Sequence, residues 1–346
     1  MKKTINNESD NKIDSNIILM RFLATVCMFI ANFAYFFETL NFSFLVRFLA
    51  SIAAPLFLFI FGYCSEMAFR NYHFDFKYLL KRVAQFALCA MFLDIVYWEI
   101  YPFQNGDILY TYIFSAIMLY VLLRHSIRVK FLTLLVFLLI SLVVYKFVNY
   151  EFDINYLVLN GQYPDIPFLI KMALNNLFFT GWFPFLIWGV FPVAGLFVAS
   201  TRSFVIHKTR LRWATLGFTL MCCIVLFDTF INLKFNQDRR KNNIELFYPL
   251  AWNCVLFFLA LVYVVFDFLA LIKIKHSLLK YFKIRHGLLI YVLHFFVLSI
   301  LYQSLGKIVL RENLIVLLAI GAFICVHFLL VLFDFVSKRY TKNSHV

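Results

Sequence analysis

His294 is the side chain best placed to do chemistry in this sequence, because it lies about seven residues inside a long apolar segment. A histidine changes its protonation state near neutral pH. It can therefore take a proton from an alcohol or an amine, as acyl transfer to either group requires. A histidine that only hydrogen-bonds to a neighbouring membrane helix would have the same sequence context. The sequence leaves both the catalytic and the structural interpretation open.

A second pair of polar side chains lies in the first apolar segment. Arg21 and Asn32 are eleven residues apart, close to three helical turns, so they share one face of a helix. A guanidinium and an amide on one face could hold a phosphate at one end and stabilise an oxyanion at the other. A purely structural polar stripe would have the same spacing.

Other ionisable side chains also lie inside or at the ends of apolar segments, where each is costly and is therefore a candidate site residue. We expect Asp94 to pair with an arginine such as Arg21 or Arg82, and we interpret Asp228 and Asp267 as structural. The full set comprises Glu38, Arg47, Asp94, Glu99, Asp228 and Asp267.

Ten long apolar segments position these side chains. At about 1.5 Å of rise per residue, each crosses or nearly crosses a hydrocarbon core of about 30 Å. Since 63% of the residues are hydrophobic and only 14% are charged, we predict an all-α, polytopic transmembrane helical bundle of about ten spans. The segments run over 17–37, 44–67, 82–101, 107–124, 131–147, 180–200, 213–233, 248–272, 287–305 and 314–336.

Positive charge concentrates in alternate connections between these segments. Most of the 32 Lys and Arg residues fall there, and the positive-inside rule places those connections and both termini in the cytoplasm. This topology, together with anionic lipid, explains the net charge of +14 better than nucleic-acid binding does. We predict a disordered cytoplasmic tail at 1–15, a single transmembrane domain at 16–337 and a cytoplasmic tail at 338–346.

Two longer connections lie on the outside in this topology. The first, 148–179, includes an apolar piece at 166–179 that is too short to span and is expected to be interfacial or re-entrant. The second, 234–247, is basic. It is either a tolerated exception to the charge bias or an electropositive lip for an anionic acceptor or lipid head group. All seven cysteines lie in apolar segments without metal-ligand spacing, so we predict neither a disulfide framework nor a metal site.

The segment from Phe44 to Tyr63, with Pro55 and Gly62, resembles the second-span signature of membrane-bound acyltransferases. The likeness is closest to the bacterial relatives of heparan-α-glucosaminide N-acetyltransferase. Further matching pieces follow in the order of that family. They are Arg21 with Asn32, the stretch 79–82, the stretch 106–109, Phe183 and Pro184 with Trp188, Phe191 and Gly195, and the stretch 289–294.

The resemblance implies an enzyme that takes an acyl group, usually acetyl, from cytoplasmic acyl-CoA. The group passes to a hydroxyl or amine of a glycan or glycolipid on the far side of the membrane. Each candidate side chain then has a role. Arg82 and Lys81 grip the CoA phosphates, Arg21 and Asn32 stabilise the oxyanion, His294 or Glu38 deprotonates the acceptor, and Arg47, Tyr291 and Trp188 contact the substrate. The transfer is either direct or proceeds through a covalent acyl-imidazole.

Two positions depart from the family pattern. Family members generally carry a histidine at or just beyond the outer end of the first span, whereas this chain has none between Arg21 and His73. Ile187 stands where a proline usually precedes the tryptophan. Either Glu38 or His294 serves as the base, or the activity is lost or altered.

Two rival functions remain open on sequence grounds. In a transporter or flippase the same buried charges would line a substrate path, although only ten glycines and seven prolines interrupt the chain. The second rival function is that of a catalytically silent relative of the acyltransferases. The abundance of Phe, Lys, Asn and Ile is typical of AT-rich bacterial genomes and favours a bacterial cytoplasmic membrane. The expected partners are membrane lipid, acyl-CoA and a sugar or glycolipid acceptor, with homo-oligomerisation left open.

Overall fold

A computed structural model of the chain describes residues 15–37, 43–71, 75–147, 165–201, 252–271, 286–305 and 310–343. Every regular element in these ranges is helical. The helices are α1 (Ser15–Phe36), α2 (Phe44–Asn71), α3 (Phe76–Phe92), α4 (Ile108–Leu122), α5 (Ile127–Phe147), α6 (Ile166–Asn175), α7 (Phe185–Trp188), α8 (Val190–Thr201), α9 (Trp252–Leu271), α10 (Gly287–Leu305) and α11 (Glu312–Asn343). Short π-helical turns extend α3 over Leu93–Tyr97 and α6 over Asn176–Thr180.

Five stretches of the described residues are long and apolar enough to cross a membrane. They are Asn16–Phe36, Phe48–Arg70, Ile166–Thr201, Gly287–Leu305 and Glu312–Phe333. The predicted all-helical class is therefore confirmed, and these stretches are compatible with a multi-pass membrane protein, whereas the count of about ten spans and the side of the termini stay predictions. The predicted span at 213–233, the connection at 234–247 and the polar stretch at 1–14 lie outside the described residues.

The centre of the bundle is formed by α2 packed against α8 on one side and α1 on the other. Two glycines make the first of these contacts possible. A Cβ added at Gly62 would collide with the carbonyl oxygen of Pro192, and one added at Gly195 would collide with the carbonyl oxygen of Phe59. Both glycines belong to the segments that carry the family resemblance. In the structure, these glycines let the backbones of α2 and α8 approach closely.

Gly62→Ala and Gly195→Ala are each expected to lower the free energy of unfolding by at least about 3 kcal/mol. Neither obstructing atom is a flexible side chain, so the backbones must separate. Gly321→Ala in α11 is the matched control, since a Cβ there meets no atom within 4 Å. It should be neutral or stabilise by roughly 0.5–1 kcal/mol. Denaturant titration in mixed micelles measures all three, and equal effects at the three glycines would contradict the packing argument.

The loop from 98 to 107 enters the protein between α3 and α4. At 15 residues, α4 spans about 22 Å, less than a hydrocarbon core. The loop before α4 makes up the remaining thickness of the core, since its residues Gln104, Asn105 and Asp107 are each at most 2% exposed. Irregular backbone inside a membrane protein is tolerated where the protein itself encloses it. This loop contributes one of the side chains described next.

The predicted short piece at 166–179 is helical but breaks before α7. None of the side chains of α6 is buried, and Ile166, Phe168 and Ile170 are more than half exposed. The following π-turn is different, because Asn176 and Leu177 are buried against the rest of the bundle. The piece therefore has an apolar outer face and an anchored end.

Candidate functional site

Two predicted catalytic residues, distant in sequence, meet between α1 and α10. The amide nitrogen Nδ2 of Asn32 lies 2.9 Å from Nε2 of His294. The same Nδ2 donates to the backbone carbonyl of Met28, one turn earlier in α1, at 3.1 Å. The side chain of His294 is completely enclosed, with 0% exposure. The structure thus places an imidazole and an amide together in the interior of the bundle.

Aromatic rings surround the imidazole. Phe295, Tyr291 and Phe29 have ring centroids 4.1, 5.2 and 5.5 Å from that of His294. These side chains exclude water and make each electrostatic contact stronger than it would be in solvent. The second ring nitrogen, Nδ1, forms no hydrogen bond of normal geometry with a described residue. The ring nevertheless interacts with the backbone carbonyls of Tyr291 and Ile290, three and four positions earlier in α10.

Tyr291 lies one turn before His294 in α10 and connects it to the buried loop. Its hydroxyl contacts both carboxylate oxygens of Asp107, at 3.1 and 2.9 Å. Asp107 also caps α4 by accepting the backbone N–H of Leu109 at 2.8 Å. Asp107 is buried, and these two donors hold its carboxylate as a hydrogen-bond acceptor. A carboxylate in direct contact with a hydroxyl can take up a proton that the hydroxyl relays.

Asp94 holds the loop in place. It is 0% exposed and accepts hydrogen bonds from the Asn105 amide at 2.7 Å, the Phe103 backbone N–H at 2.9 Å and the Tyr110 hydroxyl. The expectation that Asp94 pairs with an arginine is therefore wrong. In the interior, three neutral donors satisfy the carboxyl without the cost of burying a second charge.

The same loop contains three residues with positive φ. They are Glu99 at 54°, Phe103 at 70° and Gly106 at 64°. For the two non-glycine residues this conformation costs about 1–3 kcal/mol each, and it persists only where the surroundings enforce it. Gly106 also lies against Gly181, so that a Cβ on it would come within 3.0 Å of the Gly181 Cα. Strain of this kind is concentrated at functional sites, which supports a role for the loop that carries Asp107.

The chain after α6 clamps the loop from the other side. The backbone N–H groups of Trp182 and Phe183 donate to the carbonyls of Asn105 and Gly106, at 3.0 and 2.9 Å. The Asn176 amide donates to the Gln104 carbonyl at 2.5 Å. The loop ahead of Asp107 is consequently held by the chain after α6, while Asp107 itself contacts Tyr291 of α10.

Arg21 lies apart from the Asn32 contact, although both are on α1. Its guanidinium Nη2 donates to Sγ of Cys64 in α2 at 3.4 Å. Eleven helical residues separate the two side chains along α1, about 16 Å. Arg21 and Asn32 therefore occupy two different environments, and their roles at a phosphate and at an oxyanion stay predictions.

The remaining predicted site residues are Lys81, Arg82, Trp188, Arg47 and Glu38. Lys81 and Arg82 are exposed on α3, where the Arg82 guanidinium donates to the Tyr78 hydroxyl at 3.0 Å. Trp188 is buried in the core between the rings of Phe183 and Phe191. Arg47 belongs to α2, but its side chain, like all of Glu38, lies outside the described set.

A buried charge cluster was not anticipated from the sequence. Glu66 bonds to the Lys130 ammonium at 2.8 Å and to the Arg70 guanidinium at 3.0 Å. Lys130 and Arg70 also donate to the side-chain and backbone oxygens of Ser200, at 2.9 and 3.2 Å. In the sequence, Lys130 and Arg70 are two of the basic residues that the charge bias assigns to cytoplasmic connections. In the structure, the cluster ties together the ends of α2, α5 and α8.

Asp107 is the functional candidate that the residue-by-residue prediction missed, although the stretch 106–109 was part of the resemblance. Its signal in the sequence is that of a helix N-cap, an Asp directly before an apolar helix. That signal accounts for the contact with Leu109 but gives no reason to expect Tyr291. Within the described residues no cluster of three or more His, Cys, Asp or Glu side chains could hold a metal ion.

Comparison with known proteins adds nothing to this geometry. No protein-family model matches the chain, and no curated protein and no solved structure matches it either. The resemblance to membrane-bound acyltransferases is therefore a hypothesis carried by the order of its motifs.

Proposed function

We propose that this protein is an integral membrane acyltransferase. It moves an acyl group, most simply acetyl, from cytoplasmic acyl-CoA to a hydroxyl or amine of a glycan or glycolipid on the other side. In this proposal the chain has about ten spans with both termini in the cytoplasm, and it resides in a bacterial cytoplasmic membrane. The donor and the acceptor reach the site from opposite faces of the bundle.

The observation that carries the proposal is the contact between Asn32 and His294 at 2.9 Å. The sequence predicts roles in acyl-transfer chemistry for both side chains, which lie on helices that are far apart in the chain. The Tyr291–Asp107 pair beside them supplies a hydroxyl and a carboxylate within the same enclosure. An acyl transfer needs a hydrogen-bond donor for the carbonyl oxygen and an acceptor for the proton of the nucleophile. Both are available here.

The donor side of the proposal places Lys81 and Arg82 at the phosphates of CoA. Both are exposed, so they can reach a water-soluble ligand, and guanidinium and ammonium groups pair well with phosphate. Arg21, deeper in α1 beside Cys64, is positioned for a more buried part of the donor. The acceptor side is assigned to Arg47 and Tyr291. Trp188 supports the core and is not kept as a substrate contact.

Substitution of both Lys81 and Arg82 by alanine is expected to raise the KM for acetyl-CoA about tenfold to a hundredfold with kcat nearly unchanged. The reason is that contacts to the remote phosphates bind the ground state and transition state alike. The matched control replaces Lys77 and Arg128, which are also exposed, by alanine. It should leave KM within about twofold.

Measurements of acetyl-CoA binding, CoA release and substrate flux separate an enzyme from a transporter. Protein in lipid nanodiscs should show a thermal shift with acetyl-CoA and should release CoA slowly in the presence of acceptor. Substrate flux in proteoliposomes without any CoA dependence would instead favour a transporter or flippase. Acetyl-CoA binding without turnover would point to a silent relative.

A further inference from the structure

The contacts of Asn32 determine which nitrogen of His294 carries the proton. A backbone carbonyl can only accept, so the neighbour of the Met28 oxygen must be the amide nitrogen of Asn32 and not its oxygen. The other N–H of that nitrogen points to Nε2 of His294. Nε2 must then supply a lone pair, and in a neutral imidazole the single proton resides on Nδ1.

We propose that Asn32 is a positioning residue that fixes His294 as the Nδ1–H tautomer, so that His294 offers a hydrogen-bond donor to the acyl carbonyl and does not act as the base. This inference rests on the proposed acyltransferase function and assigns the roles within that site. Nδ1 forms no hydrogen bond of normal geometry with a described residue, although the backbone carbonyls of Tyr291 and Ile290 interact with the fully enclosed ring. An N–H without a well-aligned acceptor in a dry site is suited to stabilise a developing oxyanion.

In this arrangement the lone pair of Nε2, the only unprotonated ring nitrogen, already accepts a hydrogen bond from Asn32. As long as Asn32 donates to Nε2, that nitrogen cannot take a proton from the acceptor, and Nδ1 is already protonated. A histidine serving as a general base needs an unprotonated nitrogen facing the nucleophile. The proton must therefore go to another group near the ring.

Asp107 is that group, reached through the Tyr291 hydroxyl at 2.9 Å. In the step, the bond from acyl carbon to the acceptor oxygen or nitrogen forms while the bond to the CoA sulfur breaks. The proton of the acceptor passes to the Tyr291 oxygen as the tyrosine proton moves to Asp107. CoA leaves as a thiolate and receives the proton from Asp107, so that charge and protons balance at the end of the cycle.

Nitrogen NMR of the protein labelled with ¹⁵N-histidine tests the tautomer directly, because protonated and unprotonated ring nitrogens have well separated shifts. The resonances of His294 are identified as those that disappear in His294→Gln. In the wild type we expect a protonated Nδ1 and an unprotonated Nε2. A proton on Nε2 at neutral pH overturns the proposal.

Asn32→Asp is the informative variant, since a carboxylate beside Nε2 accepts where the amide donated. We expect a proton to appear on Nε2 in this variant. Asn175→Asp, an exposed substitution with the same charge change, should leave the His294 spectrum unaltered. An unchanged spectrum in Asn32→Asp would remove Asn32 from the positioning role.

Should Asn32→Asp fail to fold, the wild-type spectrum alone still decides the tautomer. The spectrum needs no substrate, which keeps the two hypotheses separable. A wild type with the expected tautomer and no acyl transfer would refute only the proposed function. An active enzyme with a proton on Nε2 would refute only the donor role.

Discussion

His294→Leu is expected to lower the kcat of acyl transfer about 100-fold to 1,000-fold, whereas His294→Gln should stay within about tenfold of the wild type. Leucine removes the N–H donor that His294 is proposed to offer to the oxyanion, and the loss of one such donor typically has an effect of this size. Glutamine is a poor base but retains an N–H donor of similar reach. The initial rate of CoA release at saturating acetyl-CoA measures both variants.

The contrast between these two substitutions distinguishes a donor from a base. Equal losses in His294→Gln and His294→Leu would mean that the imidazole accepts the proton, because neither side chain can do so. His327→Leu is the matched control, since His327 lies in α11 and stacks on Phe323. Its activity should remain within about twofold of the wild type.

Glu66→Leu is expected to lower the free energy of unfolding by about 3–5 kcal/mol. Among the described residues, the substitution leaves the Lys130 ammonium, whose side chain is 5% exposed, with the Ser200 hydroxyl as its polar partner. An uncompensated buried charge is one of the most costly single defects in a folded protein. Denaturant titration in mixed micelles measures the change.

Two further variants test whether the cost arises from the buried charge. Glu66→Leu combined with Lys130→Met should recover most of the lost stability, because two apolar side chains can replace a buried ion pair. Arg70→Met removes the more exposed cation of the cluster, at 35% side-chain exposure, and should cost only about 1 kcal/mol. If the double variant is as unstable as Glu66→Leu, then lost packing and not charge explains the effect.

Hydrophobicity alone was sufficient to predict the helices that carry the site. The first apolar segment, 17–37, corresponds to α1 at Ser15–Phe36, and the segment 287–305 has the bounds of α10. Segment length is set by local composition, which a single sequence contains. His294 is a candidate because ionisable groups inside apolar helices are costly, and Asn32 is one because it lies three helical turns from Arg21 on the same face.

Contacts between distant parts of the chain could not be predicted in this way. Asp107 meets Tyr291 only because a loop bends into the bundle, and that bend depends on Asp94, Gly106 and Gly181 acting together. The ion pair between Glu66 and Lys130 could not be predicted for a similar reason. Lys130 sits among loop charges in sequence, and only the packing of α5 against α8 buries it. Tertiary packing, which apolar patterning leaves open, decides both.

Transfer of radiolabel from [¹⁴C]acetyl-CoA is the most direct test of the proposed function. The protein is reconstituted in liposomes with a glycolipid extract of a bacterial envelope, and the wild type is compared with His294→Leu. We expect label to enter the glycolipid fraction together with stoichiometric release of CoA in the wild type, and a loss of at least about 100-fold in the variant. Neither label nor CoA release in the folded wild type would contradict the assignment as an acyltransferase.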